Sequence, residues 1–126
     1  MKLIIGGAYQ GKLTYVLEQY QVDKEEVYYA SMTCSELPAD KKIVYHLEQW
    51  VLACQKEGRN ATEKLNEYLQ KFPDAVLICE DVSCGVVPVD PKVRQWREAV
   101  GRCTAALSQR ADEVVRLFCG IPTKLK

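Results

Sequence analysis

The sequence lacks the features that mark several large classes of protein. It contains one histidine, and its six cysteines form no Cys-x-x-Cys pair, which excludes the common zinc-binding spacings. Lysine plus arginine equals aspartate plus glutamate, 17 against 17, and this balance argues against bulk electrostatic binding to nucleic acid or acidic membranes. No stretch approaches the roughly 20 apolar residues of a membrane span. We therefore expect no nucleic-acid partner, no membrane partner and no resident metal site.

What is present fits one globular domain. A chain of 126 residues, 48% apolar and 27% charged, predicts a single domain over residues 1–126. The first five residues hold too short an apolar stretch for the core of a signal peptide, so we expect a cytoplasmic protein. Its cysteines are then expected to be reduced, most of them as small core residues.

The apolar pattern predicts strands that alternate with helices. The predicted strands cover residues 2–5, 26–30, 75–79 and 114–119, and the predicted helices cover 13–20, 40–58, 62–71 and 90–107. Asp90 followed by Pro91 is a typical helix start, a capping residue before a proline in the first turn. This alternation predicts an α/β fold, with a mainly parallel sheet and helices on both of its faces.

The sharpest motif is a glycine-rich loop between the first predicted strand and the first predicted helix. It matches the phosphate-binding pattern G-x-x-x-x-G-K, in which curled backbone N–H groups and a helix N-terminus hold a phosphate. The lysine adds a positive charge against the outer phosphates. The nucleotide-binding residues predicted here are Gly6, Gly7, Ala8, Tyr9, Gln10, Gly11, Lys12, Leu13 and Thr14.

The motif departs from its pattern at the position that normally binds Mg²⁺. Leu13 stands where a serine or threonine hydroxyl is usual, and leucine cannot be a metal ligand. Thr14 is adjacent, but one helical step turns a side chain by about 100° around the axis. Binding of a triphosphate is predicted, whereas Mg²⁺-assisted phosphoryl transfer has lost one of its usual ligands.

Three further side chains are candidates for chemistry. His46 borders the apolar face of the predicted helix 40–58, where it is either a packed histidine or a nucleophile or general base near the nucleotide. Glu80 and Asp81 follow the third predicted strand, and the carboxyl ends of parallel strands line the ligand crevice of such sheets. They either bind Mg²⁺ or orient a hydroxyl, or they only end the strand. With Lys12, these are the predicted catalytic residues.

Several segments together resemble the bifunctional adenosylcobinamide kinase/adenosylcobinamide-phosphate guanylyltransferase family of cobalamin biosynthesis. The opening G-G-A-x-x-G-K is similar to that family's loop, and the C-terminal third carries the more specific likeness. Its matching stretches are V-V-P at 86–88, R-x-x-R-E-x-x-G-R at 94–102, A-D-E-V at 111–114 and G-I-P-x-K-L-K at 120–126.

The resemblance implies an α/β, P-loop NTPase-type three-layer sandwich, usually trimeric, that uses GTP or ATP. It implies phosphorylation of a hydroxyl on the corrinoid cobinamide, then GMP transfer from GTP through a histidine that carries GMP covalently. The family's R-I-x-x-H pattern after the second strand resembles residues 42–46, which raises His46 as that guanylylated nucleophile.

The sequence also departs from the family. Glu80-Asp81 replaces an Asn-Glu pair, Ser83 replaces a glycine, and Gln49 replaces an arginine. Nothing between His46 and the strand at 75–79 resembles the family's middle strand, so we expect a sheet shortened by the loss of that strand. The alternative is a catalytically degenerate nucleotide-binding regulatory protein of the same pathway. A generic P-loop kinase would leave the C-terminal likeness unexplained.

Overall fold

A computed structural model of the chain describes residues 1–82 and 88–126. Ser83, Cys84 and the first two residues of the V-V-P motif lie outside the described residues. The strands are β1 (Lys2–Gly6), β2 (Val27–Tyr29), β3 (Ile43–Tyr45), β4 (Val76–Glu80), β5 (Glu113–Phe118) and β6 (Ile121–Lys124). The helices are α1 (Lys12–Gln19), α2 (Leu47–Glu57), α3 (Ala61–Lys71) and α4 (Pro91–Arg110), and a 3₁₀ turn covers Lys24–Glu26.

The strands form one mainly parallel sheet in the order β2-β3-β4-β1-β5-β6. Strands β1 to β5 pair in parallel, and β6 pairs antiparallel with β5. Strand β1 therefore lies inside the sheet, where Gly6 at its carboxyl end stands opposite Glu80 on one side and Leu117 on the other. This arrangement brings the ends of β1, β3 and β4 to the same edge of the sheet.

Both faces of the sheet are covered, so the strands are apolar at successive positions. Leu3 and Leu77 point into a cluster packed with α2, α3 and α4, which includes Trp50. Ile4 and Ile78 point to the opposite face, where α1 packs through Val16. A strand buried on both faces has this continuous apolar character rather than an alternating one. The predicted α/β, P-loop NTPase-type three-layer sandwich is confirmed.

The helix predicted for residues 40–58 is wrong in its first half. Residues Ile43–Tyr45 form β3, and the helix begins only at Leu47. Ile43 and Val44 are buried on opposite faces of the sheet, which a strand provides and one face of a helix does not. Strand β3 therefore lies between β2 and β4 in the sheet. No strand occurs between His46 and Ala75, as expected.

The C-terminal end of the sheet also differs from the prediction. No strand was predicted after residue 119, but Phe118 and Ile121 flank a tight turn into β6. The proline is tolerated because β6 is an edge strand, where one N–H is not needed for pairing. The backbone at Cys119 and Gly120 has φ of 52° and 74°, as this turn requires.

The cysteines are unpaired throughout the described residues. Cys54, Cys79 and Cys103 are buried, in agreement with the prediction that most are core residues, while Cys34 and Cys119 are exposed. Among the helices of residues 1–82 and 88–126, none combines the length and apolar character needed to cross a bilayer.

Candidate functional site

An open cleft of ≈ 690 Å³ lies at the carboxyl ends of β1, β3 and β4. Two walls enclose it, and we call them the P-loop wall (residues 6–14) and the β3–α2 corner (residues 45–49). The lining residues are Ala8, Tyr9, Gln10, Gly11, Lys12, Leu13, Thr14, Tyr45, His46, Gln49 and Glu80. The cleft thus brings most of the predicted nucleotide-binding residues together with three of the four predicted catalytic residues.

The P-loop wall owes its shape to two glycines. At Gly6, a Cβ atom would lie 2.7 Å from the main-chain oxygen of Leu117, so any side chain would push β1 away from β5. Gly11 has φ of 86° and begins α1 in the left-handed conformation that glycine adopts without strain. No side chain caps this helix start in the described structure, so its first N–H groups are left for an anion.

The P-loop wall is anchored to the strands on both sides. The main-chain N–H of Asp81 donates to the oxygen of Gly6 at 2.7 Å, just beyond β4. On the other side, the N–H of Gly120 donates to the main-chain oxygen of Gln10 at 3.2 Å, and the N–H of Cys119 donates to the side-chain Oε1 of Gln10. The β5–β6 turn, which the sequence did not predict, therefore holds the tip of the loop.

Lys12 supplies the positive charge of the P-loop wall. Its side chain is only 6% exposed, and its Nζ donates to the main-chain oxygen of Gly7 at 2.6 Å. Burial lowers the pKa of Lys12, and the carboxylates of Glu80 and Glu48 act against that shift. The ammonium is thus folded against its own loop, on the surface where a phosphate would lie.

His46 stands at the joint between β3 and α2. Its backbone has φ of 66° and ψ of 47°, a left-handed conformation that is uncommon for a residue other than glycine. Its ring packs on Tyr45 with 3.8 Å between centroids, and its side chain is 31% exposed. The structure thus places His46 after the third strand, not after the second as the R-I-x-x-H resemblance implied.

Glu48 is a member of the site that the sequence analysis missed. It is 2% exposed, and its Oε1 accepts from the main-chain N–H of Glu80 at 2.8 Å. Its Oε2 accepts from the N–H of Gln49 at 3.2 Å and lies 3.3 Å from Nδ1 of His46. Burial raises the pKa of Glu48, and these N–H donors together with His46 oppose the rise. An acidic residue in a first helical turn usually interacts only with the helix dipole, so nothing in the sequence marked Glu48.

The two predicted acidic residues, Glu80 and Asp81, differ in the cavities that they line. Glu80 lines the main cleft, whereas Asp81 lines a smaller cavity of ≈ 200 Å³ beside it, which Glu80 shares. Arg97 and Gly101 of α4 form the far side of this smaller cavity. Arg97 is half-buried, whereas Arg94 and Arg102 of the same helix are exposed.

The residues around the cleft do not supply a usual P-loop magnesium site. Leu13 is half-buried and packs on the sheet face that α1 covers, so its side chain is part of the core. Thr14 is exposed and lines the cleft, as Glu80 does. Over residues 1–82 and 88–126, no group of three or more His, Cys, Asp or Glu side chains could hold a metal ion.

Comparison of the sequence with known proteins identifies a family. The family model described as cobinamide kinase / cobinamide phosphate guanyltransferase matches residues 41–125. The chain belongs to this family. Among curated proteins, it is 32% identical over 81 residues to the "Bifunctional adenosylcobalamin biosynthesis protein CobU" of Salmonella typhimurium (strain LT2). That match covers 63% of this chain and 45% of the relative, so the chain matches less than half of the relative's length.

The family match covers one wall of the cleft and not the other. The β3–α2 corner, β4 and the whole of α4 lie within residues 41–125, and so do the motifs at 94–102 and 111–114. The segment between His46 and Ala75, in which the sequence analysis found no middle strand of this family, is inside the match, and so is β3, which precedes that segment. The P-loop wall lies before the match and is assigned to the site by its position in the fold.

Proposed function

We propose that the protein is a nucleotide-dependent transferase of cobalamin biosynthesis. It binds GTP or ATP in the cleft and transfers a phosphoryl or GMP group to a corrinoid acceptor, cobinamide or its phosphate. One observation carries this proposal: Lys12 of the P-loop wall and His46, the chain's single histidine, line the same cleft. The family, cobinamide kinase / cobinamide phosphate guanyltransferase, indicates the class of acceptor, and the name of the Salmonella relative indicates the pathway.

The triphosphate chain is assigned to the P-loop wall. The uncapped N-terminus of α1 and the backbone amides of residues 6–11 offer donors to phosphate oxygens, and Lys12 offers the charge. On binding, Nζ of Lys12 would exchange the oxygen of Gly7 for a phosphate oxygen. Nucleotide binding of this kind uses main-chain groups and one cation, and it does not depend on the residue at position 13.

Transfer of GMP is assigned to His46. A nitrogen lone pair of the imidazole attacks the α-phosphorus of GTP, the N–P bond forms, and pyrophosphate leaves with the electron pair of the broken P–O bond. A phosphate oxygen of the corrinoid acceptor then attacks the same phosphorus, and the imidazole leaves. The position of His46 in the cleft, rather than the R-I-x-x-H resemblance, supports this role.

A second candidate function is favoured by the P-loop wall itself. Leu13 stands where a hydroxyl normally binds Mg²⁺, so the loop lacks one of the usual ligands of metal-assisted phosphoryl transfer. A regulatory subunit of the same pathway would bind nucleotide in this cleft and turn none over. The two candidates differ in whether His46 becomes covalently modified.

The experiment uses GTP that carries a radioactive label in its α-phosphate. Incubation followed by denaturation is expected to leave one label on the chain, lost in acid because an N–P bond is acid-labile. His46→Asn is expected to abolish the label and keep the fold, since asparagine tolerates the left-handed backbone at this position. Gln70→Ala, at an exposed position of α3 outside the cleft lining, serves as the control that keeps the label.

Persistence of the label in His46→Asn would contradict the assignment of the nucleophile. Equilibrium binding of GTP with no label at all would favour the regulatory candidate. A trimer is the assembly implied by the family resemblance, and analytical ultracentrifugation of the intact chain tests it.

A further inference from the structure

We propose that Glu48 is a positioning residue that fixes the tautomer of His46, with the proton on Nδ1 and the lone pair on Nε2. This inference rests on the proposed function of His46 and names the nitrogen that would do the chemistry. Glu48 is no part of the motifs from which the family likeness was drawn, and its role follows from its contacts.

The first step of the argument is that the ring of His46 is held. Its backbone is fixed in a left-handed conformation between β3 and α2, and one ring face packs on Tyr45. Its Nδ1 lies 3.3 Å from Oε2 of Glu48. Backbone, ring face and one nitrogen together leave the imidazole little freedom to rotate.

The second step is that the Glu48 carboxylate acts as an acceptor. Its Oε1 already accepts an N–H from Glu80 at 2.8 Å, and its Oε2 accepts one from Gln49 at 3.2 Å. These two N–H donors stabilise the ionised form of the carboxyl group, and that form can only accept hydrogen bonds. Nδ1 of His46 must then be the donor, and a neutral imidazole with a proton on Nδ1 carries its lone pair on Nε2.

The third step is that Glu48 itself cannot easily move. It is buried, and the indole N–H of Trp96 on α4 donates to its main-chain oxygen at 2.8 Å. The main chain of Glu48 is therefore held by α4, and its carboxylate is held by its own helix α2 and by the end of β4. A carboxylate held in this way orients a histidine in the same manner as the aspartate of a serine-protease triad.

With this tautomer, His46 can attack the α-phosphate of GTP without losing or gaining a proton. Nε2 donates its lone pair to the α-phosphorus, pyrophosphate leaves, and the ring keeps its proton on Nδ1. The ring then carries a positive charge, which the carboxylate of Glu48 faces at hydrogen-bond distance. When the acceptor attacks the phosphorus, the N–P bond breaks and the neutral ring with Nδ1–H is restored.

The test is nitrogen NMR of the intact chain with labelled histidine. Because the chain has a single histidine, the spectrum contains one imidazole. At a pH well above the ordinary imidazole range, the wild type is expected to show a protonated Nδ1 and an unprotonated Nε2. Glu48→Ala is expected to move the proton to Nε2, the form that a free imidazole prefers in water. A wild-type ring with the proton on Nε2 would overturn the proposal, and that measurement needs no variant to fold.

A kinetic measurement separates this role from a merely structural one. Glu48→Gln is expected to slow the labelling of His46 roughly 100-fold or more and to leave equilibrium binding of GTP unchanged. Glu98→Gln is the matched control, since Glu98 is an exposed residue of α4 paired only at the surface with Arg102. Unchanged labelling in Glu48→Gln would contradict the proposal. A protonated Nδ1 in a wild type that never labels would contradict the proposed function and leave the tautomer assignment standing.

Discussion

The P-loop wall meets the cleft with main-chain groups, whereas the β3–α2 corner meets it with side chains. In the first, an uncapped helix start and glycines shape the surface, and the residue at position 13 has become part of the core. In the second, His46 and the buried Glu48 are joined by a hydrogen bond. The P-loop wall therefore tolerates the replacement at position 13, whereas the β3–α2 corner depends on the side chains of His46 and Glu48.

The two walls also differ in their relation to known proteins. The family match begins at residue 41, so it includes the β3–α2 corner and excludes the P-loop wall. Strand β1 nevertheless lies between β4 and β5, which are both inside the match, and Gly6 is in register with Glu80. The fold thus joins the two walls across paired strands, and each of the following substitutions acts on one wall.

The largest effect is expected from Gly6→Ala. The new methyl group would lie 2.7 Å from the oxygen of Leu117, a backbone atom that can only move with β5. We expect a loss of about 1–3 kcal/mol in the free energy of unfolding, measured by chemical denaturation, together with weaker GTP binding. Gly7→Ala is the control, because its nearest contact is the Gln10 Cγ at 3.7 Å. Equal losses in the two variants would contradict the close packing of β1 against β5.

A smaller effect is expected from Leu13→Ser. The hydroxyl restores the usual Mg²⁺ ligand, so Mg²⁺ should strengthen GTP binding about tenfold in the variant and have little effect on the wild type. Leu13→Ala is the matched control, since it removes the same packing against the sheet without adding a ligand. Isothermal titration with and without Mg²⁺ gives the result. If the wild type already binds GTP more tightly with Mg²⁺, another group in the cleft is the ligand.

The smallest effect concerns the pH dependence of stability at the β3–α2 corner. Burial raises the pKa of Glu48 above its ordinary 4.5, so the folded chain holds this proton more tightly than the unfolded chain does. Its contribution is therefore fully present below pH 4.5 and is lost as the pH rises through the folded-state pKa. The Glu48→Gln variant is the reference, because glutamine has no titratable group at this position. The stability of the wild type relative to this variant, measured by urea denaturation, should fall as the pH rises above about 4.5, and a rise would contradict the assigned direction.

Most of the architecture could be predicted from periodicity and helix signals. The long helix α4 begins at its predicted proline, and the strands at β1, β4 and β5 lie where apolar runs indicated them. Strand β3 was not recognised because its apolar residues fit the spacing of the helix that follows it. Ile43 and Leu47 are four residues apart, as on one face of a helix. In the structure, the left-handed backbone at His46 separates the strand from the helix.

The candidate site was predictable to the extent that it rests on local motifs. The glycine-rich loop carries its geometry in its own residues, so its position after β1 could be expected. Glu48 could not, because its burial depends on Glu80 and Trp96, which come from distant parts of the chain. A glutamate in the first turn of a helix has the same local signature whether solvent or a buried histidine lies beside it.

One titration tests the central claim, that both walls bind a single nucleotide. The ring signal of His46 and the amide signals of the three P-loop glycines, Gly6, Gly7 and Gly11, are followed by NMR while GTP is added to the intact protein. We expect all four residues to respond with the same dissociation constant, and Lys12→Ala to weaken the response of every one together. A response of the glycines with no change at His46 would contradict the account, because the nucleotide would then contact one wall only.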